Sequence, residues 1–460
     1  MTESKSLKKI TGSLLVYWGL ASMGLALIGG IFGSTLPIFY QDYLGLGARW
    51  ISLVSLLYAL WNAVNDPLFG FITDNTRSRL GRRIPYLRFT APFLALTFFL
   101  VWMVPESASD FAVFLWMLLS MLLYDTSFTI IGLVHSALLP ELSEYEDDRG
   151  ALQGVSAFAS LIGFALGFII PQLFRPKGDE PGSLLTMRLA LLAVGIIGAA
   201  LIFLLSYKVK ERPALSRNDE KVTFKEFISF TFSSRSALIV IAANFMRILV
   251  QTIMMGAVFY LADYLVRING MILMLFFFIP MVAGIGTAGV IRKKVGVLAA
   301  QQLYLAIGAV GLFSMLFMPV SLLPLSVLIT GFGMGGPEAL TYVLLSQTID
   351  EDELRSGRRR EGAFFGTNAL LTKPAQSLGI AIPPLILEQT GFITREANGG
   401  RIFFDQPAAA LMGIRIYTGL IPALAYLLAI LILVFYPIRG AYKQKLEQQV
   451  MDRHTAKENT

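Results

Sequence analysis

The chain contains no cysteine, so disulfides, thiolate metal sites and thiol nucleophiles are excluded at once. It has only two histidines, too few for a histidine metal cluster. Charge is scarce as well: Asp, Glu, Lys and Arg make up 15% of the 460 residues, which is too little to cover the surface of a water-soluble protein of this length. The spans carry no metal-ligand spacing, no Ser–His pair and no acidic diphosphate motif, so the chain does not read as an enzyme, and no cofactor is implied.

Apolar residues are abundant. They make up 55% of the chain, with a mean hydropathy of +0.64. They are grouped in blocks long enough to cross a bilayer, which takes about 20 helical residues. Boundaries fall at roughly 11–40, 49–73, 86–104, 110–140, 149–174, 186–208, 235–266, 270–291, 297–319, 322–349, 361–389 and 408–437, about twelve spans in all. The fold class is therefore an all-α membrane protein. The first span is long enough to stay in the membrane as a helix, and no cleavable signal is evident. The net charge of +7 does not point to nucleic acid, because the basic residues gather in alternate loops. The rich set holds Lys5, Lys8, Lys9, Arg77, Arg79, Arg82, Arg83, Arg292, Lys293, Lys294, Arg355 and Arg358 to Arg360, which predicts that both termini are cytoplasmic.

The spans divide into halves. The longest polar stretch, 209–234, predicts a cytoplasmic linker between a bundle over 1–208 and a second over 235–440, with a cytoplasmic tail over 441–460. Arginine-rich loops recur after spans 2 and 8, and acidic loops after spans 4 and 10, a weak internal repeat. In transporters such repeats place the solute near the midplane, between the halves.

"NDPLFGFITDNTRSRLGRR" after span 2 and "DEDELRSGRRREGAFFG" followed by Thr372 and Lys373 resemble the signatures of the glycoside–pentoside–hexuronide:cation symporters. This is the melibiose-permease family of the major facilitator superfamily, and the likeness runs over nearly the whole chain. The resemblance implies twelve helices in two pseudo-symmetric six-helix bundles, and transport of a sugar or glycoside coupled to Na+ or H+ by alternating access. It further implies a monomer lying among membrane lipids, in a bacterial inner membrane. The family's cation site uses two helix-2 acids with an Asn between them and a helix-4 Thr. Those positions read Asn62, Asn65, Asp66 and Thr129. The family's sugar contacts on helix 4 fall on Gly132 and Ser136, and the one on helix 1 falls near Ala26, whereas the helix-11 lysine is kept as Lys373. A distant relative, the vertebrate sodium-dependent lysophospholipid symporter, makes an amphipathic lipid the alternative solute. A purely H+-coupled carrier of another small polar solute is a further alternative.

The residues carry their own argument. A charge near the bilayer centre costs at least about 2.5–3.5 kcal/mol, so it faces a partner or a cavity. Asp66, Asp125, Arg247, Glu338 and Lys373 lie deep within spans. Asn62, Asn65 and Asp66 share one helix face, an oxygen-rich stripe suited to Na+. No other metal site is implied. Asp125 stands one turn before Thr129, and the expectation is that it replaces the carboxylate missing at Asn62. A structural role in bonding a neighbouring helix is the competing reading. Asn244, Arg247 and Gln251 form a polar stripe on span 7, read as lining a water-filled cavity or as a packing ladder. The glycines of "GFGMGGP" predict a loosened helix before Glu338, which would bind solute, carry a proton or pair with Lys373. Three carboxylates against two cations leave one negative charge for Na+ or H+ to cancel, if all five share one cavity. His135 is read as a packed histidine rather than a proton relay. Mid-span aromatics such as Trp18 and Tyr124 are candidates to stack on a sugar. Asp74, Arg77, Arg82, Arg83, Arg149, Asp350 and Arg359 read as a cytoplasmic gate built from helix caps and ion pairs.

Overall fold

The structure, a computed structural model, describes residues 10–40, 44, 46–105, 108–174, 183–211, 232–393 and 404–458. Most of the 209–234 linker lies outside the described residues, as do Lys5, Lys8 and Lys9. Among the described residues there is no strand. A peptide group in hydrocarbon has no water to bond, so long apolar segments satisfy their backbone internally as helices.

Six helices open the chain: α1 (Gly12–Ile38), α2 (Ala48–Asn75), α3 (Ile84–Trp102), α4 (Asp110–Leu142), α5 (Glu146–Phe174) and α6 (Ser183–Lys208). Six more follow: α7 (Arg235–Tyr260), α8 (Gly270–Val295), α9 (Val297–Phe317), α10 (Leu323–Ser356), α11 (Glu361–Gln389) and α12 (Ala408–Val434). A polar helix, α13 (Gly440–Glu458), ends the described chain. Hydroxyl caps start several of them: Thr11 accepts from the Leu14 amide, Ser109 from Ala112 and Ser234 from Ala237.

Eleven of these helices are long and apolar enough to cross a membrane. α2 falls short although it has 28 residues, because Asn62, Asn65, Asp66 and Asp74 dilute its hydropathy. Its two faces differ. Leu53, Leu56, Leu60 and Val64 are exposed along one side, whereas Asn62, Asn65 and Asp66 are buried along the other. In a membrane the first set meets lipid and the second meets protein. The helix that fails the apolarity test is thus the one that carries the candidate cation face.

The chain forms two compact units. Unit 1 comprises residues 1–231 together with 349–370 and 446–460; unit 2 comprises 232–348 and 371–445. Within unit 1, α1 packs on α5 and α6, α3 on α4 and α6, and α2 on α4. Small residues allow the close approach: a Cβ at Gly163 of α5 would stand 2.3 Å from the Met23 carbonyl oxygen of α1. Within unit 2, α7 and α9 both pack on α12.

One expectation changes here. The "GFGMGGP" stretch is continuous helix inside α10, with Pro337 accommodated. Its glycines serve packing: a Cβ at Gly333 would lie 2.2 Å from the Gly308 amide nitrogen of α9, and one at Gly336 would strike the Tyr304 ring. The glycines fit α10 tightly to α9 and do not unwind it.

Candidate functional site

Unit 1 joins α2 and α4 through polar side chains at mid-helix. Asn65, Asp66, Asp125 and Thr129 are all buried, with Asn65 at 0% exposure. Asp125 and Thr129 sit one turn apart on α4, on the side away from the exposed Leu115, Leu119 and Leu123. The Thr129 hydroxyl donates to Asp66 Oδ1 at 3.3 Å. One turn along, Asn65 Nδ2 donates to Asp125 Oδ2 at 2.8 Å, and the Tyr58 hydroxyl donates to Asp125 Oδ1 at 2.9 Å. The helices thus meet through carboxylate, amide and hydroxyl groups. Asn62 turns back on its own helix and donates to the Tyr58 carbonyl at 3.2 Å. Trp61 borders the cluster, its indole N–H 3.2 Å from the Thr126 hydroxyl. Tyr58 is the member that sequence reading missed. Its signal was there, four residues before Asn62 on the same helix face.

A cavity of about 330 Å³ opens in the same unit among α1, α4 and α5. Ser22, Ser156, Ser160 and His135 give it polar groups, and Phe128 and Phe164 give it aromatic walls. His135 stacks on Trp18 with ring centroids 4.0 Å apart, and Ser22 bonds both His135 Nε2 at 3.3 Å and Ser156 Oγ at 2.7 Å. Ala26 lines this cavity too. Gly132 and Ser136 are half-buried, and a Cβ at Gly132 would meet open space.

The arginine-rich end of unit 1 is a dense ion-pair network. Arg83 is fully buried and pairs with Glu141, with Glu361 at 2.9 Å and with Asp74 at 3.1 Å. Arg82 reaches Glu361 at 3.1 Å. Arg359 holds Glu361 at 2.6 Å and Glu353 at 2.9 Å, and Arg149 pairs with Asp350. Asp74 also caps α11, accepting the Gly362 and Ala363 amides at 3.0 Å each. Gly362 permits this, since a Cβ there would lie 2.7 Å from the Gly70 carbonyl. Glu211 does the same for α3, accepting the amides of Arg82, Arg83 and Ile84 at 2.6 to 2.7 Å. Arg77 turns aside to the Asp74 and Thr76 carbonyls. Burial alone would lower the Arg83 pKa; Glu141, Glu361 and Asp74 outweigh it and hold the guanidinium charged more firmly than usual. The same balance holds for Arg359, with Glu353 and Glu361 outweighing burial. Of this network, Glu141, Glu211, Glu353 and Glu361 were not singled out in the sequence. Glu361, which directly follows three arginines, was the one most open to recognition.

Unit 2 contains the second set of intramembrane charges. Arg247 bonds Asn244 at 2.8 Å and Gln251 at 3.1 Å along α7, and forms an ion pair with Glu338 of α10. The α7 stripe and Glu338 therefore belong to one network, and Glu338 takes Arg247 as a partner. Lys373 is half-buried on α11. Asp66 and Asp125 belong to unit 1, and Arg247, Glu338 and Lys373 to unit 2.

Comparison with known proteins agrees with this architecture. Residues 17–440 match the family described as MFS/sugar transport protein. The chain belongs to this family. It is an integral membrane transporter and not an enzyme. Among its relatives, the uncharacterized symporter YnaJ of Bacillus subtilis (strain 168) is 28% identical, over 98% of this chain and 97% of that protein. The glucuronide carrier protein homolog of Escherichia coli (strain K12) is 22% identical over 90% of each. The sodium-dependent lysophosphatidylcholine symporter 1 of Gallus gallus is 21% identical, over 92% of this chain and 86% of its own length. Of solved structures, the E. coli fucose:proton symporter superposes with a TM-score of 0.65 at 14% identity, over 92% of this chain and 98% of that one. This fixes the fold as that of the major facilitator superfamily.

Proposed function

We propose that this transporter is a cation-coupled symporter of a sugar or glycoside, working by alternating access. The observation that carries the coupling is the buried α2–α4 cluster, where Asp66 shares Thr129 beside Asn65. A hard cation prefers such oxygen donors, and a buried carboxylate is tolerated in hydrocarbon where a positive partner meets it. Na+ suits the oxygen set. H+ is the second reading, favoured by the amide at Asn62, which leaves α2 with a single mid-helix carboxylate.

The solute reading rests on the cavity among α1, α4 and α5. Serine hydroxyls and an imidazole match sugar hydroxyls, and Phe128 and Phe164 match the apolar face of a pyranose ring. The printed names of the glucuronide carrier homolog and of the family support a sugar. An amphipathic lysolipid is the alternative, favoured by the lysophosphatidylcholine relative and by the absence of acid or tryptophan at Ala26, Gly132 and Ser136. In unit 2, Arg247, Glu338 and Lys373 are the proposed solute or coupling groups. The arginine-rich end is the proposed cytoplasmic gate, with both termini on that side of a bacterial inner membrane and the protein acting as a monomer.

The test is counterflow in proteoliposomes across glycosides, pentoses and uronides, with and without Na+, at two pH values. Na+-stimulated accumulation of one of these sugars is the expected result. Accumulation driven only by a pH gradient replaces Na+ with H+. No sugar uptake by folded protein, with uptake of lysophosphatidylcholine, overturns the sugar reading.

A further inference from the structure

Asn65 is wholly buried, and its two amide ends are in unequal positions. The nitrogen donates to Asp125 at 2.8 Å. The oxygen, Oδ1, is buried and accepts no hydrogen bond from the described residues. Buried polar atoms are nearly always satisfied, so an orphan acceptor beside a carboxylate needs an explanation. An ionised Asp125 is an acceptor on both oxygens, so it selects the nitrogen end of Asn65 and turns the carbonyl end away. Asp125 is itself held in place, because the Tyr58 hydroxyl donates to its other oxygen at 2.9 Å. Tyr58 therefore orients Asp125, and Asp125 orients Asn65. A carbonyl oxygen free of donors, next in sequence to Asp66, is a ligand for a cation and has little to offer an anion.

We propose that Asp125 is a positioning residue for the coupling cation rather than a ligand of it: it locks the Asn65 amide so that Oδ1 joins the Asp66 carboxylate and the Thr129 hydroxyl as the oxygen donors. This departs from the sequence-based expectation, which put Asp125 on the cation in place of the acid missing at Asn62. It rests on the cation reading above. It also gives the chain a reason to keep a carboxylate on α4 whose oxygens are already engaged by Tyr58 and Asn65.

Calorimetric titration of the purified full-length protein with Na+ alone, at constant ionic strength, tests the proposal through a double-mutant cycle. Asp125→Asn removes the obligate acceptor and lets the Asn65 amide turn over; it is expected to weaken Na+ binding about tenfold, the scale of a supporting residue. Asn65→Ala is expected to weaken it at least as much. The double variant N65A/D125N is expected to match Asn65→Ala, because Asp125 acts only through Asn65. Tyr58→Phe, a milder change, is expected to weaken binding a few-fold in the wild-type background and not in Asn65→Ala, and it decides the matter if D125N does not fold. Additive losses in both cycles would make Asp125 a direct ligand and overturn the proposal while leaving the cation reading intact. Wild-type protein with no saturable Na+ binding would overturn the Na+ reading itself, and the positioning role with it.

Discussion

Unit 1 contains two buried polar clusters that use similar residues in different ways. At the arginine-rich end, Arg82, Arg83, Arg149 and Arg359 interlock with Asp74, Glu141, Asp350, Glu353 and Glu361, while Asp74 and Glu211 cap helix termini. At mid-helix, Asp66 and Asp125 are met by hydroxyl and amide groups of Tyr58, Asn65 and Thr129. The first cluster carries its counter-charges as fixed side chains of the chain. The second meets its carboxylates with hydroxyl and amide donors and leaves a buried oxygen of Asn65 with no donor among the described residues. Desolvated charge survives with a permanent partner or with one that arrives and departs. The contrast predicts that damage to the first cluster shows in stability and damage to the second in ion dependence.

The sharpest way to break this comparison is at Asp66. Asp66→Asn is expected to reduce cation-stimulated accumulation in proteoliposomes about 100-fold, more than the loss of any supporting residue, with the melting temperature unchanged or raised. A large fall in melting temperature would assign Asp66 to the structural class instead. Arg83→Met is the converse. It leaves Glu141 and Glu361 buried with a guanidinium removed, a loss of about 3–5 kcal/mol, read by thermal unfolding in detergent. Na+ affinity in any folded fraction should stay within a factor of about two of wild type, because additivity holds for separate sites. Arg83→Lys should not rescue fully, since one ammonium cannot replace the fork that reaches three carboxylates. A smaller effect is expected in unit 2. Glu338→Gln keeps the shape but loses the charge facing Arg247, and is expected to raise the solute half-saturation about tenfold with little change in cation dependence.

Much of the fold was legible because lipid imposes one rule on every apolar segment, and that rule is written in length and hydropathy. Even α2, whose asparagines dilute its hydropathy, was legible from its length and its Leu and Val stripe. The site was legible in part. Asn62, Asn65 and Asp66 declare themselves as polar residues on one face of a membrane helix, and Asp125 and Thr129 do so on the opposing helix. Spacing along one helix does not reveal which atoms bond across to another. Asn62 looks like the equal of Asn65, yet it bonds its own helix while Asn65 crosses to α4. The glycines before Glu338 illustrate the same limit, since a glycine that loosens a helix and one that admits a neighbour are identical in sequence. His454 is a stronger case. It lies in a polar tail with nothing to mark it, and its carboxylate partners Glu144 and Glu353 are more than 100 residues distant in sequence.

That histidine supplies the finest test of the contrast. His454 of α13 is fully buried, with Nδ1 2.6 Å from Glu144 Oε1 and Nε2 2.8 Å from Glu353 Oε2; Arg359 shares the Glu353 oxygen, and Arg453 lies 3.9 Å from the other. The two carboxylates at the ring nitrogens favour the doubly protonated imidazolium, against the Arg359 guanidinium, whose Nη1 also lies 2.8 Å from Nε2. Burial lowers its pKa, but the hydrogen bonds to Glu144 and Glu353 outweigh burial and Arg359 and raise it above the ordinary value. The folded state therefore holds this proton more tightly than the unfolded chain does. The stabilisation is complete below the ordinary histidine pKa of about 6.5 and is lost as pH rises through the raised folded value. The melting temperature of the wild type should fall across that window, and that of His454→Gln should be flatter. The difference between them should be about 2–4 °C at its largest. A variant with the wild-type slope would remove His454 from the closed cluster and leave the docking of α13 to Leu446 and Val450, the apolar residues that α13 buries.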